Sequence, residues 1–137
     1  MLKIVDWELA GRGDPCWDLG SVFSEYLGFW LLSIPDPGAI LSDQSPELAR
    51  YPLNKLQPAM CSFWESYVRC MNFDATSSHE WLLRSVKYAA ARLVQTAFER
   101  MQMVMQVTGT IVCFLQLSFN ILQRPEEAIV HLLGIPS

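Results

Sequence analysis

Asp6, Glu8, Asp14 and Asp18 all fall within one stretch, "KIVDWELAGRGDPCWDLG", that runs from residue 3 to residue 20. Asp6 closes the apolar run Ile4-Val5. An apolar strand that ends in an acid anchors its carboxylate at the sheet edge, and the loop that follows leaves it accessible. A hard cation such as Mg²⁺ takes one or two carboxylates of this kind together with phosphate oxygens. Asp6 is therefore the candidate metal ligand. Glu8, two residues on, shares a strand face with it and is the candidate second oxygen donor. On spacing alone the plainer alternative stands beside this one: a surface acid that caps a turn.

The elements around these acids follow from the apolar pattern. Residues 2–8 are expected to form a short strand and residues 9–15 a loop with Gly11, Gly13 and Pro15. From Trp17 to about Ile34 the chain is apolar nearly all round, which predicts a central buried helix with Asp18 in its first turn. Residues 35–46 are rich in Pro, Gly, Ser and Asp and predict a surface loop. A second helix carries the stripe Leu56, Met60, Phe63, Trp64, Tyr67, Val68 and Met71, with Pro58 expected in its first turn. Ser77 and Glu80 have capping-box spacing and predict the start of a third helix. That helix would bury Leu82, Val86, Ala89, Leu93, Ala97 and Met101, with Arg84, Lys87 and Glu99 on its wet side. Residues 101–123 contain no charge, but their Gln, Thr, Ser and Asn content argues for buried helices broken near Thr108–Gly109 rather than a membrane span. A last helix is opened by Pro125, with Glu126 and Glu127 in its first turn, and closed by Gly134 and Pro136. The expectation is a mainly α single domain spanning residues 1–137, with five or six helices and one short N-terminal β element.

Composition narrows the function classes. The 137 residues are 51% hydrophobic and only 18% charged, with 5 Trp, 7 Phe and 4 Tyr. That much apolar side chain implies either a large core or a surface that covers a partner. A net charge of −4 speaks against a nucleic-acid partner, which selects basic stripes. Cys16 falls in the expected loop, and Cys61, Cys70 and Cys113 fall in apolar helical patterns. None has CxxC spacing, so reduced, buried cysteines and a cytoplasmic setting are expected rather than a disulfide or zinc framework. His79 and His131 are expected to be ordinary cap or surface residues. Gly11-Arg12-Gly13 is too short for a phosphate cradle.

The segment "IVDWELAGRGDPCWDLGSVF" resembles the part just after the catalytic loop in the aminoglycoside phosphotransferase and choline kinase-like family. That family's pattern is apolar-apolar-Asp-Trp-Glu, a short Gly-containing loop, Gly-Asp-Pro, two residues, then Asp-Leu-Ala or Asp-Leu-Gly. The resemblance covers about the first twenty residues, and the rest fits in kind as the helical C-terminal lobe of such kinases. It implies that Asp6 binds Mg²⁺ against the phosphates of ATP, as the Asp of the protein-kinase Asp-Phe-Gly motif does. It further implies that Asp14 is a structural turn residue, that Asp18 fixes the catalytic loop, and that Trp17 and its helix form the spine of the lobe.

Such kinases also carry a His-Gly-Asp-x-x-x-x-Asn loop and a nucleotide-covering lobe with a Lys. Neither precedes Asp6 here, and neither His79 nor His131 opens an HxD sequence. The expectation is thus a portion of an ATP-dependent phosphotransferase acting on a small-molecule (or peptide) hydroxyl, inactive alone, with no catalytic residue of its own. The other reading is a non-catalytic helical interaction module, a split or degenerate kinase remnant that forms a homodimer or binds a missing-lobe partner.

Overall fold

The computed structural model describes residues 11–35, 49–104 and 106–136. Five helices make up this part: α1 (Pro15–Leu32), α2 (Leu53–Met71), α3 (Ala75–Gln102), α4 (Gly109–Gln123) and α5 (Pro125–His131). The mainly α expectation is met, with no strand among the described residues. The strand expected at residues 2–8 and most of the loop expected at 35–46 lie outside them.

Local chemistry sets each helix end. The Asp14 carboxylate accepts the Cys16 N–H at 3.0 Å, and Pro15 starts α1 where a missing N–H costs nothing. α1 therefore begins two residues before the expected Trp17. Its C-terminus closes on Ser33, whose hydroxyl donates to the Trp30 carbonyl at 2.7 Å. α2 begins at Leu53, earlier than its apolar stripe suggests, so Pro58 lies inside the helix and not in its first turn. Pro58 and Asn54 are both exposed, so the carbonyl that proline leaves without an amide partner is on a solvated turn. Asn72 ends α2 in the left-handed conformation (φ 52°), one of the few residues that enters it readily.

The expected capping box at Ser77 and Glu80 is corrected: α3 starts one turn earlier. Asp74 is its N-cap and accepts the Ser77 N–H at 2.8 Å, because an acid at the end of the α2–α3 turn reaches that amide first. Thr108 caps α4 by accepting from the Ile111 N–H, so the expected break near Thr108–Gly109 is where α3 and α4 are separated. None of the helices among the described residues is long and apolar enough to cross a membrane.

α3, not α1, is the helix on which the molecule is assembled. It packs most extensively against α1 and α4 and also meets α5, while α2 lies against α1. The core joins Phe23 and Leu27 of α1, Met60 and Trp64 of α2, Val86, Ala89, Leu93 and Ala97 of α3, and Ile111, Phe114 and Ile121 of α4. Small residues on α3 let its neighbours come close, and the large side chains of α1 and α4 fill the space. α1 is not covered all round: Phe29 and Leu32 are half exposed. The C-terminal segment is tied back to α2, where Gln57 donates to the His131 carbonyl at 2.8 Å and the Cys61 thiol donates to the Gly134 carbonyl.

Candidate functional site

Among the acids of the opening stretch, Asp14 and Asp18 lie in the described residues, and Asp6 and Glu8 lie outside them. The site can therefore be built from its α1 end only. Asp14 does three things at once. One carboxylate oxygen caps α1 through the Cys16 amide, and the other accepts from the Tyr88 hydroxyl at 3.3 Å and lies 3.4 Å from Arg84 Nη1. Arg84 and Tyr88 are four residues apart and so share a face of α3. The same face continues to Arg92, whose guanidinium lies 5.7 Å above the Trp17 ring, while Trp17 meets Tyr88 edge-on at 5.5 Å. The start of α1 is thus held on α3 by a charged, aromatic strip.

The capping bond from the Cys16 amide is the largest cause that holds the Asp14 carboxyl below its usual range, with Arg84 and Tyr88 adding to it. A group with a lowered folded pKa contributes stability above its unfolded value and loses it as pH falls through the folded one. Asp14→Asn should therefore lower the urea midpoint at neutral pH, and the gap to the wild type should narrow as pH drops below about 4. Asp14→Ala, which loses the cap as well, should be the worse of the two. Urea titrations at neutral and acid pH check both points.

Asp18 is exposed in the first turn of α1, where the helix dipole favours an acid, and has no hydrogen-bond partner among the described residues. Trp17 is 40% exposed and lies on the surface of α3, not in the core. Cys16, expected in a loop, is a fully buried helical residue whose thiol donates to the Trp81 carbonyl at 3.7 Å. Burial pushes its pKa up, which disfavours the thiolate. Cys113 is also buried, but Cys61 is half-buried and Cys70 is exposed, so the expectation of four buried cysteines is corrected. The Cys70 position misleads because its neighbours Val68 and Met71 carry the apolar pattern, yet at this end of α2 Cys70 and Met71 are both exposed.

Arg84, Tyr88 and Arg92 were not singled out by the sequence as parts of this region. Their i, i+4, i+8 spacing was a usable signal, but it marks a solvated face equally well. His79 is exposed and approaches Glu126 at 3.1 Å, joining the second turn of α3 to the first turn of α5. His131 is exposed and lends only its carbonyl to Gln57.

Among the described residues no three His, Cys, Asp or Glu side chains come together, and the Asp14 carboxylate is engaged by an amide, a hydroxyl and a guanidinium. What this end of α1 offers is one accessible carboxylate, Asp18, on a firmly seated helix start. Compared with protein-family models, curated proteins and solved structures, the chain matches none.

Proposed function

We propose that this chain is the helical portion of an aminoglycoside phosphotransferase-like kinase, whose reaction moves a nucleotide's terminal phosphate to a hydroxyl. The observation that carries the reading is the ordered set of three sub-motifs, Ile4-Val5-Asp6-Trp7-Glu8, Gly13-Asp14-Pro15 and Asp18-Leu19-Gly20. The geometry supports it by giving the last two sub-motifs distinct physical tasks. Asp14 and Pro15 start a helix and lock it to α3. Leu19 is buried, and Gly20 lies in close contact with the α3 backbone. Asp18, between them, is left accessible. Such an arrangement suits a segment whose job is to hold an acidic loop at a fixed place.

In this reading Asp6 is the residue that meets Mg²⁺, with Glu8 as the second candidate, and Asp18 is a positioning residue. No residue of the chain is proposed as catalytic base, and the acceptor is left as a hydroxyl of a small molecule or peptide.

Calorimetric titration of Mg·ATP into the chain tests the reading. Weak heat that is lost in Asp6→Ala and kept in Glu99→Ala, a remote exposed acid, is the expected result. Heat that is absent, or indifferent to Asp6, would remove the kinase reading for this chain.

A further inference from the structure

α4 carries two apolar seams, and the fold uses one of them. Ile111, Phe114, Ser118 and Ile121 face inward and are buried. Val112, Leu115, Phe119 and Leu122 are 41%, 37%, 58% and 51% exposed. Their steps of three, four and three residues are the a/d spacing by which one helix zips against another. A helix that only covers a core needs a single stripe and keeps polar residues on the opposite side.

We propose that this outward seam is the seat of a second copy of the chain, docked antiparallel about a two-fold axis midway along the seam, between Leu115 and Phe119. Three features select that occupant. From Gly109 to Gln123 there is no charged residue, so two identical faces meet without repulsion, whereas a charged peptide or nucleic acid finds no counter-charge there. The register is self-complementary: Val112 comes opposite Leu122 of the second copy, and Leu115 opposite its Phe119. Each layer then pairs a smaller with a larger side chain, and the four layers are of similar volume. The seam is flanked by the exposed amides Gln116, Asn120 and Gln123. Gln116 Nε2 already donates to Asn120 Oδ1 at 2.9 Å within one copy, and the donors and acceptors that remain on this amide edge can meet an identical set across a two-fold axis.

Size sets the strength. Fifteen residues of helix extend about 22 Å. A strip of that length falls short of the ~800 Å² per partner of a standard stable interface. The dimer is therefore weak and reversible, and appears at high protein concentration. The proposal is independent of the kinase reading.

Sedimentation equilibrium of the full chain tests it. The weight-average mass of the wild type is expected to climb from 15.6 kDa towards twice that value as concentration rises into the millimolar range. Two charged doubles, Leu115→Lys with Phe119→Lys and Leu115→Glu with Phe119→Glu, are each expected to stay monomeric with helix content intact. Mixed in equal amounts they should dimerise again, because each lysine then faces a glutamate. If a double loses its helix content, the singles Phe119→Lys and Leu115→Glu are mixed instead and read the same way. A wild type that remains monomeric at millimolar concentration, as it would if another part of the same chain covered the seam, overturns the proposal. So does a mixture that fails to restore the dimer.

Discussion

Gly20→Ala is expected to destabilise the protein by about 2 kcal/mol, although alanine is the better helix former. In an open helix interior the substitution would gain up to ~1 kcal/mol. Gly20 is not in the open: a methyl group built there would lie 2.6 Å from the Ser85 carbonyl oxygen, 2.7 Å from Tyr88 Cβ and 2.8 Å from the Ala89 amide nitrogen. Two of those three atoms are backbone and the third is a Cβ, so no rotamer change relieves the contact. α1 and α3 must separate, and they form the most extensive helix pair in the molecule. Overpacking of this kind costs ~1–3 kcal/mol and occasionally more. With the propensity gain offset against the upper part of that range, a net loss of about 2 kcal/mol remains. Urea unfolding followed by circular dichroism reads it directly, and the sign alone decides. A midpoint that rises would mean that the helices are not in contact at Gly20. The glycine also gives the Asp18-Leu19-Gly20 sub-motif a physical meaning, since the third residue is small because a helix crosses there.

The sequence carried the helices well and their tertiary roles less well. Periodicity identified the buried side of α3, because Leu82, Val86, Ala89, Leu93 and Ala97 recur on one stripe; Met101, expected on the same stripe, is only half-buried at the end of the helix. It misjudged which helix is central. α1, apolar nearly all round in sequence, looked like the centre, yet centrality depends on small side chains that admit neighbours on several sides. Those are on α3, as Ser85, Ala89, Ala90 and Ala97. Helix starts shifted for a similar reason. A Ser-x-x-Glu pattern at Ser77 and Glu80 competes with an acid three residues upstream, and only the path of the turn decides in favour of Asp74. At the candidate site, the acids were visible as a cluster within one stretch. The α3 residues that hold Asp14 were not, because Arg84 and Tyr88 lie more than sixty residues away and look like any solvated helix face. Asp6 and Glu8 lie outside the described residues, so their standing rests on the motif.

Phe114→Ala should produce the largest loss of all, about 3–5 kcal/mol, as expected for removal of a fully buried phenylalanine. Its ring is completely enclosed between α1, α3 and α4. On one side lies Gly28, where an added methyl group would stand 3.5 Å from the ring, an ordinary contact. On another side the Arg100 guanidinium lies 5.7 Å from the ring centre. Truncation leaves a cavity that three helix backbones must collapse to fill, and whole-domain stability is only ~5–15 kcal/mol. The same helix supplies an internal comparison. Phe119, five residues on, is 58% exposed, so Phe119→Ala should change the unfolding midpoint of the dilute protein little. The two variants should then separate cleanly by method. Phe114→Ala lowers the urea midpoint at every protein concentration. Phe119→Ala leaves the dilute midpoint in place and removes the rise with concentration that mass action gives a self-associating native state. Equal losses for both at low concentration would mean that the outward seam of α4 belongs to the core of a single copy. A loss confined to Phe114 in dilute protein, together with a rise with concentration that Phe119→Ala removes, would assign the two aromatic rings of one helix to two different tasks, folding for one and association for the other.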